Sequence, residues 1–153
     1  MNIMPEKIYI SEAINEMTEE MKIIFMDLSA RLPYGVKIVE TNENGCPISD
    51  NEYTIVSANY EDGKFGYRKD GKIEYSGPEK IRAILRPLET MTKEEEIEFF
   101  TWCYVPDEAK TLDEKKFVIA SNRYAIDFYN RHHFDYRGLI EQMLAVEKNK
   151  DIV

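Results

Sequence analysis

The sequence predicts an α+β fold: a small antiparallel curved sheet or SH3-like barrel of about five strands over residues 35–86, flanked by an N-terminal helix and two to three C-terminal helices. Three features of the chain carry this. Ile14, Met17, Met21, Ile24, Phe25 and Leu28 recur at three- and four-residue steps, the stripe of an amphipathic helix. Asp62-Gly63 and Asp70-Gly71 separate three β-rich runs, and Asp-Gly supplies the positive φ angles that tight hairpin turns need. Thr92-Lys-Glu-Glu95 reads as a capping box that opens a helical half.

The elements follow in order within one expected domain, 1–153. Residues 1–16 form an arm, with Lys7–Ile10 a candidate edge strand. Ser11 and Thr18 are both candidate N-caps, and Glu19 and Glu20 after Thr18 favour the positive end of a helix dipole. The helix over 17–31 ends at Pro33 and Gly35. Gly35–Thr41 has the β-branched enrichment of a strand, and Asn42–Asn51 is a polar loop. Tyr53–Tyr60, Phe65–Arg68 and Lys72–Tyr75 describe a three-stranded meander, and Ile81–Leu85 returns as a further strand before Pro87. A flat sheet covered on one face by helices is the competing arrangement.

The region 92–148 reads as helical. Its first helix runs from the capping box to about Cys103, with Ile97, Phe100 and Tyr104 on one stripe and Phe99 and Trp102 elsewhere. Pro106–Lys116 is charged and reads as a loop or short turn, the best candidate for a mobile segment. Ser121 caps the next helix, whose inner stripe is Tyr124, Ala125 and Phe128. A last helix is expected from Tyr136 to Glu147, with Leu139, Ile140, Met143 and Leu144 inward.

Composition narrows the class. The chain has 153 residues, enough for a real core, and a formal charge of −9. An acidic surface repels phosphate backbones, so general nucleic-acid binding is disfavoured, although Arg82, Arg86, Arg123, Arg131 and Arg137 are candidates for a local basic patch. Cys46 and Cys103 match no zinc or redox spacing. No uninterrupted apolar run suggests a leader or a membrane span, so the cytoplasm is the expected location.

Site chemistry is sparse. The chain has no phosphate-cradling glycine loop, no Gly-x-Ser-x-Gly elbow and no His-Glu-x-x-His. The densest set of capable side chains is Asn130–Ile140, which holds His132, His133 and Asp135, the candidate catalytic residues. A Cys103–His133 or Asp135–His133 dyad is conceivable, since nucleophile and base need only meet in space. For binding, the candidates are Trp102, Tyr104, Arg131, Tyr136 and Arg137. No metal site and no cofactor is expected.

The same stretch reads first as a structural corner. The histidines close one helix, Asp135 caps the next, Phe134 and Leu139 form a hydrophobic staple, and Arg131 or Arg137 pairs with Asp135 or Glu141.

Three strings, Leu28–Val36 (LSARLPYGV), Leu85-Arg-Pro-Leu88 leading into Met91–Glu95 (MTKEE), and His132–Ile140 (HHFDYRGLI), resemble a family of small proteins from gut Bacteroidales and their prophages. The likeness spans residues 18–147. It implies a phage or mobile-element accessory context and no activity. The leading expectation is therefore a non-enzymatic protein acting on a protein partner. The alternatives are a small metal-dependent or acid/base hydrolase centred on His133 and Asp135, and a nucleic-acid-binding module built on the arginines.

Overall fold

A computed structural model describes residues 11–102 and 123–148. Lys7–Ile10, Cys103, Tyr104, the charged run Pro106–Lys116, Ser121 and the tail from Asn149 lie outside the described residues.

Both expected N-caps are used, in two helices rather than one. Ser11 Oγ accepts the Ile14 N–H and opens α1 (Glu12–Asn15); Thr18 Oγ1 accepts the Met21 N–H and opens α2 (Glu19–Arg31). A 3-10 turn over Leu32–Tyr34 follows, and Gly35, at φ +68°, turns the chain into the sheet.

The strands are β1 (Lys37–Glu40), β2 (Tyr53–Asn59), β3 (Lys64–Lys69), β4 (Lys72–Ser76), β5 (Ile81–Leu85) and β6 (Ala145–Glu147). They form one open sheet in the order β4-β3-β2-β1-β5-β6. The five strands within 35–86 pair antiparallel as expected, and the sheet does not close into an SH3-like barrel. At the β3–β4 turn both Asp70 (φ +53°) and Gly71 (φ +78°) adopt left-handed angles, the two-residue geometry that matches strand twist. The β2–β3 connection is wider, with four residues between Asn59 and Lys64, and only Gly63 of its Asp-Gly pair takes a positive φ.

The sixth strand corrects the sequence reading. No helix spans Tyr136–Glu147: residues 136–144 are turns, and Ala145–Glu147 pairs parallel with β5. The cause is local and tertiary. Gly138 (φ +71°) and Met143 (φ +62°) are left-handed, which a right-handed helix cannot contain. Met143 is exposed while Leu139 and Leu144 are buried, so the apparent stripe serves a loop that packs under the sheet.

Among the described residues the helices of the second half are α3 (Lys93–Trp102) and α4 (Arg123–Arg131). The capping box is present: Glu95 N–H donates to Thr92 Oγ1 at 3.1 Å, and Thr92 N–H to Glu95 Oε1 at 2.9 Å. On α4, Ala125 and Phe128 face inward as expected, but Tyr124 is exposed and Tyr129 takes its place.

Two apolar clusters result among the described residues. The first packs Ile24, Phe25 and Leu28 of α2 against Ile38, Ile55, Phe65, Tyr67, Ile81 and Leu85 of the sheet, with Leu139 and Leu144 completing it. The second is largely aromatic and joins Leu88, Phe99, Ala125, Phe128, Tyr129 and Phe134. Burying each such side chain contributes about 1.5–3 kcal/mol. Phe134 and Leu139 thus belong to different clusters and form no staple.

Candidate functional site

The Asn130–Ile140 segment is where the two clusters meet. Its first part ends α4 in a Schellman motif: Phe134 N–H donates to the Tyr129 carbonyl at 2.8 Å, and His133 N–H to the Asn130 carbonyl at 3.2 Å. The left-handed position, usually glycine, is His133 at φ +60°. The accompanying apolar contact is an edge-on packing of Phe134 against Tyr129, with ring centroids 6.1 Å apart. The chain then runs beside the end of β5. Arg86 N–H donates to the His133 carbonyl, and Asp135 N–H to the Arg86 carbonyl, at 2.9 and 2.8 Å.

The two histidines diverge. The His132 ring lies 4.5 Å from the Phe128 ring and between two α3 carboxylates: Nδ1 is 3.2 Å from Glu95 Oε2, and Nε2 is 3.5 Å from Glu98 Oε2. His133 lies on the other side, toward the Tyr34 carbonyl. Burial lowers its pKa to about 4, and the positive charges of Arg31, His132 and Lys148 add to that, against a hydrogen bond to Tyr34 that raises it. Its imidazole is therefore neutral at pH 7.

Asp135 does act as a cap, but of a loop. Its Oδ1 accepts the Leu139 N–H at 2.8 Å and its Oδ2 the Ile140 N–H at 2.9 Å. It lines an acidic recess with Glu89, Glu141 and Glu147, while His133 lines a different cleft. The structure therefore does not bring His133 and Asp135 into one cavity. Cys103 lies outside the described residues. Among the described residues no group of three or more His, Cys, Asp or Glu could hold a metal ion.

The expected arginine partners also change. Arg131 pairs with Glu98 at 2.6 Å, and Arg137 pairs with Asp27 at 3.0 Å; neither meets Asp135 or Glu141. Arg86 is held by Glu95, and Arg82 donates to the carbonyls of Pro78, Ile81 and Met143. The arginines proposed for a basic patch are thus engaged internally, Arg123 aside, whose side chain is not described. Tyr136 is clasped by two guanidinium groups, with Arg31 5.3 Å and Arg137 4.9 Å from its ring centre. Trp102 closes α3, with its side chain outside the described residues, and Tyr104 falls outside them too.

Beneath Tyr136 lies a buried ion pair that the sequence reading missed. Asp27 and Arg31 are both fully buried, with Nε to Oδ2 at 2.9 Å, and Arg31 Nη2 donates to the Phe134 carbonyl at 2.6 Å. Their i,i+4 spacing on α2 was the available signal. Also missed was the cleft around His133, of about 350 Å³, whose walls include Gly35, Lys37, Glu52, Ile84, Arg86 and Lys148. Lys37 and Lys148 stand 111 positions apart, and no pattern in the sequence connects them.

No helix among the described residues is long and apolar enough to cross a membrane. Comparison of the chain with protein-family models, with curated proteins and with solved structures returns no match.

Proposed function

We propose that this protein is a non-enzymatic interaction protein, an accessory of a phage or mobile element, that receives an extended segment of a protein partner along β4. One observation carries the reading: among the described residues β4 ends the sheet with no strand paired to its outer edge, and Lys72, Ile73, Glu74 and Tyr75 are all exposed. An edge strand presents unpaired N–H and C=O groups that a partner strand can complete. The face beside that edge offers exposed apolar surface to a partner's side chains. Ile73 and Tyr75 stand on either side of Gly66, where an added Cβ would lie 3.2 Å from Ile73 and 3.1 Å from Tyr75, and Tyr75 remains 61% exposed. The engagement of His132, Asp135, Arg131 and Arg137 in structural contacts favours a binding role over catalysis at the corner.

The test is site-specific photo-crosslinking in cells that carry the protein. A photoreactive residue at Tyr75 is expected to capture one defined partner, which a second photoreactive site at the exposed Glu19 of α2 does not capture. Loss of that adduct in Ile73→Pro, which cannot donate from the edge, supports strand addition. Identical capture from Glu19, or none from Tyr75, overturns the proposal, as does an adduct formed only with a second copy of this chain.

A further inference from the structure

The cleft around His133 has a composition opposite to that of the chain. The protein carries −9, yet the cleft walls hold Lys37, Arg86, Arg131 and Lys148 against one carboxylate, Glu52. Two of the four cations are compensated from behind, Arg86 by Glu95 and Arg131 by Glu98. Lys37 and Lys148 make no ion pair among the described residues.

Both lysines are on fixed backbone. Lys37 opens β1 and pairs with Thr54; the Lys148 N–H donates to the Leu85 carbonyl at 2.8 Å. Gly35 leaves the wall clear, since nothing lies within 4 Å of where its Cβ would be.

We propose that this cleft binds a small phosphorylated ligand, a phosphate monoester, through Lys37 and Lys148. A phosphoryl dianion carries the two negative charges that the two ammonium groups lack, and charge-assisted hydrogen bonds to its oxygens are among the stronger ones in proteins. A volume of about 350 Å³ suits a small molecule. A nucleic-acid strand is disfavoured, because beyond the cleft it would meet an acidic surface. The cleft is built from β1, β5 and the segment after β6, so it is separate from the β4 edge.

The experiment is a titration of the ¹⁵N-labelled full chain with inorganic phosphate and with glycerol 3-phosphate, at constant ionic strength, with acetate as the monoanion control. Saturable shifts are expected at the amides of Gly35, Lys37, Ile84 and Lys148, with half-saturation at or below about 1 mM. In Lys37→Gln and Lys148→Gln, both exposed sites, the affinity is expected to fall at least about tenfold each while the rest of the spectrum is unchanged. A response to glycerol 3-phosphate alone identifies the ester, and an equal response to inorganic phosphate identifies the phosphoryl group as the element recognised. Shifts that do not saturate by about 10 mM, that acetate reproduces, or that survive in both variants overturn the proposal.

Discussion

Arg86 and Glu95 meet edge to edge: Nη1 is 2.7 Å from Oε2, and Nη2 is 2.7 Å from Oε1. The same carboxylate accepts the Thr92 N–H and faces His132. Glu95 therefore ties the end of β5, the start of α3 and the end of α4 to one point. The Arg86 guanidinium also lies 4.3 Å from the centre of the Phe134 ring, at the wall of the aromatic cluster.

Glu95→Ala removes the contacts of this carboxylate and leaves Arg86 without its counter-ion in a mostly buried place. A loss of about 3 kcal/mol is expected, read as a lowered urea midpoint with unchanged m-value. Glu95→Gln keeps the shape and the cap but not the charge, so its cost should be smaller.

The same pair sets acid sensitivity. Hydrogen bonds from Arg86, working against burial and joined by the Thr92 N–H, hold the Glu95 pKa near 2, below its ordinary 4.5. The folded state thus binds its proton less readily than the unfolded state. The stability gained is complete above about pH 4.5 and is lost as pH falls toward 2, amounting to about 3 kcal/mol at most. Glu95→Gln should flatten the stability curve in that window alone, as measured by thermal unfolding from pH 5 to 2.

Asp27 and Arg31 should behave differently from a surface pair. Both are fully buried, and Asp27 also accepts from Arg137. Asp27→Ala leaves the Arg31 charge buried without its counter-ion, at an expected cost of about 3–5 kcal/mol. Replacing both, Asp27→Leu with Arg31→Met, should recover most of that loss. A double variant as unstable as the sum of its singles would show that the pair does not act as a unit.

Gly66 tests the β-meander. A Cβ there would collide with the Ser57 hydroxyl and press on Tyr75 and Ile73. Gly66→Ala should cost about 1–3 kcal/mol by overpacking, and Ser57→Gly in the same chain should return part of it. Chemical denaturation of the two variants and the wild type is sufficient.

The sequence was most legible where structure is decided within a few residues. The caps at Ser11, Thr18 and Thr92, the Asp70-Gly71 turn and the strand Ile81–Leu85 all depend on neighbours. It was misleading where a long-range pairing overrides a local pattern. Leu139, Ile140, Met143 and Leu144 have helical spacing, yet the segment satisfies its backbone through the Asp135 carboxylate and through β5, some 60 positions earlier. The candidate site divided in the same way. The histidines were placed correctly at a helix end, but their environments come from α3 on one side and from Tyr34, Arg31 and Lys148 on the other. Residue spacing within Asn130–Ile140 carries none of that.

His133 joins two costs that one substitution can separate. Its backbone is left-handed, which asparagine tolerates better than most residues. Its imidazole is held neutral by burial and by Arg31, His132 and Lys148, with a pKa near 4 against an ordinary 6.5. For a base whose folded pKa is depressed, the unfolded chain takes the proton first. Stability is therefore full above about pH 6.5 and declines as pH falls toward 4, by about 2 kcal/mol once solvent screening of the partly exposed ring is allowed for. His133→Asn keeps the left-handed turn and has no proton to gain. At pH 7.5 it should unfold within about 0.5 kcal/mol of the wild type, and between pH 6.5 and 4.5 its stability should stay nearly level while that of the wild type falls. A parallel decline in both proteins over that range would mean that His133 is protonated in the folded state at no cost, and that the cations around it do not set its charge.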